Sequence, residues 1–180
     1  SADASDARLH VPQLAWEKTT GVPANINGTV FFDENRIRIE PLTVKGEGID
    51  LEANIKWGAK KRGDFDAQFT VNELGRNKLL ATIVGRPQGG INAIVAAERF
   101  DLAPLLARKE TPEEESEQNT DSAFTLALEA KDLLLLNGSV LTDVKMHTVF
   151  SDGEPAELLL TGQTALGQTS VTVETSNDPM

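Results

Sequence analysis

Residues 49–57 read Ile49-Asp50-Leu51-Glu52-Ala53-Asn54-Ile55-Lys56-Trp57, apolar at every odd position and polar at every even one. Successive side chains of an extended chain point to opposite faces, so this period specifies a strand with one greasy face and one wetted face. The same alternation recurs on both sides of it. Phe65, Ala67, Phe69 and Val71 alternate with Asp66, Gln68 and Thr70. Ile37 and Ile39 stand between Arg36, Arg38 and Glu40, and Phe124, Leu126 and Leu128 between Thr125, Ala127 and Glu129. A longer run from Val140 to Phe150 places Val140, Val144, Met146 and Phe150 on one face, with Thr142 and Thr148 among them, and Asp143, Lys145 and His147 opposite.

Turn-forming residues punctuate these runs: Asp33-Glu34-Asn35, Lys45-Gly46-Glu47-Gly48, the Gly58–Gly63 stretch with Lys60, Lys61 and Arg62 inside it, Arg86-Pro87-Gln88-Gly89-Gly90, Asn137-Gly138 and Ser151-Asp152-Gly153-Glu154. Their spacing is roughly the 8–12 residues of hairpin-connected strands. Sheets with one apolar and one solvated face are typically antiparallel. The predicted fold class is therefore all-β, an antiparallel meander of about ten strands forming a twisted, curled sheet or groove. Helix is confined to one short turn at most, Asp101–Ala107, where Asp101 can cap and Pro104 is tolerable in the first turn.

Residues 108–121, Arg-Lys-Glu-Thr-Pro-Glu-Glu-Glu-Ser-Glu-Gln-Asn-Thr-Asp, hold six acidic residues and no apolar one. Such a stretch cannot bury enough surface to offset its chain entropy and reads as an acidic flexible loop, either a surface insertion or a contact for a partner. It divides the chain into a first β-sheet segment, 1–107, and a second, 122–180, that continues the same sheet. The chain starts at Ser1 and stops at Met180 in mid-pattern, which reads as a fragment of a larger protein.

Composition narrows the function. The formal net charge is −11, which repels phosphate backbones and argues against a nucleic-acid partner. No Cys is present, so disulfides, thiolate catalysis and Cys-ligated metals are excluded. The longest unbroken apolar run, Leu133–Leu136, is far short of the ~20 residues a spanning helix needs, so any membrane anchor lies outside this sequence. His10 and His147 are far apart and sit in no zinc-ligand spacing, and no nucleophile-elbow motif occurs. Asp64 and Asp66 share a strand face and are an acid–base pair in principle, but the simpler reading is a solvated face opposite Phe65. The Gly-rich stretches at 45–48 and 85–90 lack the P-loop pattern and read as turns. The chain is accordingly read as a non-enzyme with no metal and no cofactor.

What remains is the apolar face of Ile49, Leu51, Ile55, Trp57, Phe65, Phe69 and Val71. Periodicity alone favours a closed core. With almost no helix to cover it, the face otherwise stays open to an apolar ligand.

Several stretches bear on that choice. Leu9-His10-Val11-Pro12-Gln13-Leu14-Ala15-Trp16, Gly21-Val22-Pro23-Ala24, Asn27-Gly28-Thr29-Val30 and Leu42-Thr43-Val44-Lys45-Gly46 form one set, and Phe100-Asp101-Leu102-Ala103-Pro104-Leu105-Leu106 a second. The strand pair Ala130–Gly138 and Leu141-Thr142-Asp143-Val144 and the closing Val171–Ser176 complete them. Together they resemble the middle region of YhdP-type proteins of the AsmA-like superfamily. At the end, Asn177-Asp178-Pro179-Met180 departs from the Asp-Ala-Gly pattern usual there.

The resemblance implies a segment of a periplasmic, inner-membrane-anchored protein of a Gram-negative bacterium. Its sheet would curl into a gutter whose apolar face binds or conducts phospholipid, or another acyl-chain lipid, between the inner and outer membranes. The groove candidates are Ile49, Leu51, Ile55, Trp57, Phe65, Phe69, Val71, Leu126, Val144 and Met146. Its partners would be the lipid and the rest of its own parent chain. The alternative is a non-catalytic β-scaffold or interaction module of a larger envelope protein.

Overall fold

The computed structural model describes residues 1–11, 16–58, 63–87, 90–104, 123–136, 138–151 and 154–174. Nearly all of them are strand: β1 (Ala2–Asp3), β2 (Leu9–Val11), β3 (Trp16–Lys18), β4 (Ala24–Phe32), β5 (Arg36–Gly46), β6 (Ile49–Gly58), β7 (Phe65–Leu74), β8 (Asn77–Arg86), β9 (Gly90–Asp101), β10 (Phe124–Leu134), β11 (Val140–Ser151), β12 (Glu154–Thr164) and β13 (Gly167–Glu174). One open curled sheet runs in the order β1-β4-β5-β6-β7-β8-β9-β10-β11-β12-β13, and β2 and β3 form a separate two-stranded sheet. The all-β, mostly antiparallel fold is the one the alternation predicts. Of the predicted helical turn, Ala103 and Pro104 are helical, with the Ala103 N–H donating to Asp101 Oδ1 at 3.1 Å as a cap requires. Its remainder and the acidic stretch 108–121 lie outside the described residues.

The meander is broken once. β9 and β10 pair in parallel, Ile91 beside Phe124 and Phe100 beside Leu133. The Leu102 N–H donates to the Leu134 carbonyl (3.0 Å) and the Ile91 N–H to the Ala123 carbonyl (2.8 Å), so the chain leaves β9 at one end of the sheet and re-enters β10 at the other. A parallel neighbour needs a connection of a dozen or more residues, and residues 103–122 supply it. A stretch that composition marks only as a loop thus carries the chain back along the full length of a strand.

Curvature comes from bulges. Register shifts fall between Gly28 and Val30, Ile39 and Leu42, Asp50 and Leu51, Val71 and Leu74, Lys78 and Leu79, and Thr142 and Lys145. Each adds a residue to one strand, bends it and increases its twist. Pro41, which has no N–H for the ladder, sits at one of them. The bulge in β11 is built on Asp143 at φ +52° and resets the strand's parity. Val140 and Thr142, expected on the apolar face, are exposed, and Leu141 is buried in their place.

The core gathers at one end of the strands, where Val44, Ile49, Val71, Leu74, Leu79, Phe100, Leu128, Leu133, Leu141 and Val144 are buried together. Trp16 of β3 closes this end and is 6 % exposed. Its indole lies over the β5–β6 and β7–β8 turns: a Cβ at Gly48 would stand 3.4 Å from Trp16 Nε1, and one at Gly75 3.7 Å from Cδ1. Both glycines also hold positive φ, so each turn needs glycine for its backbone as well. Behind Trp16, the buried Lys18 ammonium donates to the carbonyls of Ser5, Ala7 and Thr19, placing all three of its donors.

A buried amide ties the same end together. The Asp101 N–H donates to Asn77 Oδ1 (2.8 Å), and Asn77 Nδ2 donates to the Leu74 carbonyl (3.1 Å). Asn77→Ala strands the Asp101 N–H and the Leu74 carbonyl in a buried site. The expected cost is about 1–3 kcal/mol by urea denaturation with an unchanged m-value. A change within error would show that water reaches these groups.

Candidate apolar trough

Residues directly opposite each other on neighbouring strands share a face. Following the registers across the sheet gives four rows on its inner side. Nearest the closed end runs Ile26–Val44–Leu51–Val71–Leu79–Ala97–Ala130–Val144. Next come Gly28–Leu42–Ala53–Phe69–Ala81–Val95–Leu128–Met146–Leu160–Val171 and Val30–Ile39–Ile55–Ala67–Ile83–Ala93–Leu126–Thr148–Leu158. At the far end lies Phe32–Ile37–Trp57–Phe65–Gly85–Ile91–Phe124–Phe150. No charged residue interrupts any row. The hydroxyl in them with a resolved bond inside the sheet, Thr148 Oγ1, donates to the Glu157 carbonyl at 2.9 Å and is satisfied there.

Burial is greatest in the first row and least in the last, with buried Ala53, Leu128, Ala67, Ala93 and Thr148 scattered through the two rows between. In the first row Val71, Ala130 and Val144 are buried, whereas in the last row Phe32 is 76 % and Trp57 39 % exposed. Phe65, Ile91, Phe124 and Phe150 in that row are half-buried. The inner surface is thus a trough packed shut at the Trp16 end and open at the aromatic end. Gly85 keeps the open end shallow beside Phe65, because a Cβ there would run into the Phe65 ring and stand 2.7 Å from the Gly63 carbonyl oxygen.

All ten sequence-derived candidates lie on this inner face. Ile49, Val71 and Val144 are buried in the core, Trp57 is exposed at the open end, and Leu51, Ile55, Phe65, Phe69, Leu126 and Met146 are half-buried between. The alternation put Ala53, Phe124 and Phe150 on apolar strand faces without naming them as groove candidates, and it did not mark Ala81, Ala93, Ala97 or Ile83. Their signal is the register against β6 and β7, which needs the strand pairing to be known.

Near the open end Arg36, Arg38 and Lys56 alternate with the inner Ile37 and Trp57 and so stand on the outer face of the sheet. Arg38 lies directly across from Lys56, and Arg36 from Gly58 beside Trp57. Arg38 bonds Glu40 (2.7 Å) and stacks 5.0 Å over Phe31. Arg36 and Lys56 join no ion pair among the described residues. In the β4–β5 turn, the Asn35 N–H donates to Asp33 Oδ1 and holds that carboxyl below its ordinary pKa, assisted by the Arg36 N–H.

The outer face is mostly polar and offers less. A recess of about 450 Å³ there is lined by Thr70, Asn72, Leu80 and Ala96, with Lys78 and Glu98 paired across it at 2.6 Å. Arg86 bridges Asp64 (3.3 Å) and Asp66 (3.1 Å), which gives that carboxylate pair a structural partner. His147 Nδ1 stands 3.8 Å from Glu157 on the outer side of β11. Among the described residues no group of three or more His, Asp or Glu side chains could hold a metal ion, and no helix is long and apolar enough to cross a membrane. Comparison with family models, with curated proteins and with solved structures finds no match to this chain.

Proposed function

We propose that the chain is a segment of a periplasmic AsmA-like protein whose inner sheet face binds or conducts phospholipid between the two membranes. The observation that carries this reading is the charge-free inner surface, four rows deep and continuous from β4 to β11. Acyl chains gain about 0.8 kcal/mol per buried methylene on such a surface. A surface with no polar anchor holds a chain without fixing its position, which suits movement from strand to strand.

The test is native mass spectrometry of the purified protein, followed by solvent extraction and lipid analysis. Phospholipid in defined stoichiometry is the expected result. Phe69→Asp, in the middle of the trough, is expected to reduce bound lipid at least tenfold with the far-ultraviolet circular dichroism unchanged. Lipid retained at wild-type levels in that variant would remove the inner face from the reading.

A second reading, a non-catalytic scaffold, draws on the sheet edges. Among the described strands β13 pairs with β12 alone, and β4 beyond Ile26 has no outer neighbour. Residues 27–32 of that edge carry no charge and no proline to discourage pairing. Concentration-dependent self-association of lipid-free protein would favour it.

A further inference from the structure

The unpaired edge of β4 is complementary to itself. Resting on the free edge of the scaffold reading, and independent of lipid, we propose that two copies of the chain join β4 to β4 as antiparallel strands about a two-fold axis at Val30.

The backbone sets which groups are available. In an antiparallel ladder the N–H and C=O of one residue point to the same side, and the side alternates along the strand. The Ala24 carbonyl accepts from the Ala4 N–H on the β1 side, whereas the Asp33 N–H donates to the Arg36 carbonyl on the β5 side. Even-numbered residues of β4 therefore face away from β5. The irregularity beside Thr29 spans Gly28 to Val30 on β4 but Leu42 to Ile39 on β5, so the extra residue belongs to β5 and the parity of β4 holds as far as Phe32. Ile26 is taken by Ala2 of β1. Gly28, Val30 and Phe32 remain, each with an outward N–H and C=O and no neighbouring strand among the described residues.

The register follows from those groups. Val30 against Val30 of the second copy sets Gly28 against its Phe32 and Phe32 against its Gly28, and every outward group is bonded. Moving Val30 onto the second copy's Gly28 drives Phe32 into the place of β1 at Ile26. Moving it onto the second copy's Phe32 sends Gly28 to Glu34, which lies in the β4–β5 turn.

The side chains fit the same register. Directly opposed residues share a face, so Phe32, 76 % exposed, covers the second copy's Gly28 on the inner side. An aromatic across from an edge glycine restores the cover that the glycine lacks. Phe31 meets Thr29 on the outer side, and Asp33 stands across from Asn27. No like charges oppose one another, although the chain carries a net charge of −11. Both inner faces come to lie on the same side of the joined sheet, and the apolar row through Val30 runs on from one copy into the other. About six residues a side is well below the ~20–30 of a standard interface, so the dimer is a weak one.

The experiment is sedimentation velocity of lipid-free protein from about 1 to about 500 μM, the range in which so small an interface is read. A monomer–dimer equilibrium without larger species is expected. Val30→Pro removes an outward N–H and no bond to β5. Thr29→Lys charges the edge and leaves its backbone intact. Each should weaken dimerisation at least about tenfold with the circular dichroism unchanged. The chain has no cysteine, so Val30→Cys reads the register directly. Hydrogen-bonded partners have Cα atoms ~5.5 Å apart, within disulfide reach, whereas the two positions 29 lie beyond ~7 Å. Oxidation should therefore link Val30→Cys into a covalent dimer at least about tenfold faster than Thr29→Cys.

A monomer at every concentration overturns this proposal together with the scaffold reading and leaves the lipid reading standing. Self-association that survives both Val30→Pro and Thr29→Lys, or that grows past a dimer as head-to-tail joining of β4 to β13 would, overturns the β4 contact and leaves the scaffold reading in place. Equal crosslinking of the two cysteine variants overturns the register.

Discussion

Deletion of residues 108–121 is expected to detach β10–β13 from the rest of the sheet. Leu102 and Ala123 are pinned by backbone bonds at opposite ends of the β9–β10 seam. From Gly90, beside Ala123, to Leu102 the strand rises twelve residues, or ~40 Å at ~3.3 Å each. Residues 103–122 reach well beyond that distance. After the deletion only residues 103–107 and 122 remain between the pins, and seven steps of at most ~3.6 Å reach ~25 Å. Parallel pairing in the present register then becomes geometrically impossible. Amide exchange along Leu126–Leu134 should lose its protection, and thermal unfolding should broaden or split into two transitions. A fourteen-residue Gly/Ser replacement should behave as the parent, because length and not charge is what the seam needs. A deletion variant with the parent's melting curve and protected β10 amides would show that the seam forms by some other route.

Trp16→Ala is expected to be the most damaging single truncation. The indole covers two turns and joins the core of Ile49, Leu74 and Phe100, and among the described residues the strands of its hairpin pair only with each other. Removing it costs about 3–5 kcal/mol as the large-to-small substitution of a buried aromatic. For a chain of this length that is a fall in Tm of about 6–20 °C. The anchors of Lys18 should loosen with it, seen as faster exchange in residues 16–18. A fall of less than about 2 °C would make the hairpin an ornament of the sheet instead of its closure.

How much of this was legible in the sequence follows from what each feature depends on. β6 and β7 announce themselves because Leu51 to Trp57 and Phe65 to Val71 alternate without interruption, and alternation is a local property. The all-β fold and the inner placement of Phe69 or Met146 follow from it. The parallel seam was not legible: an acidic stretch declares that it is not core, but nothing in its residues says how far it must travel. The parity of β11 differs from the alternation at Val140 and Thr142 because the positive φ of Asp143 leaves no pattern in the one-letter code. The alanine-lined middle of the trough was hidden for a different reason. Ala81, Ala93 and Ala97 are too small to stand out as an apolar stripe, and their role emerges from the large side chains opposite. Trp16, two short strands away from the sheet, gave no sign that it packs over Gly48 and Gly75.

The seam between β9 and β10 also dictates an order of events. On either side of it, β1 apart, each strand's neighbour in the sheet is its neighbour in the sequence, so both halves can zip up through short hairpin closures. The seam alone must wait for a long connection to close, and non-local pairings of this kind form slowly. Each half therefore passes through a stage in which β9 or β10 is a bare edge, and during that interval a chain emerging from synthesis is most exposed to mispairing with another copy of itself.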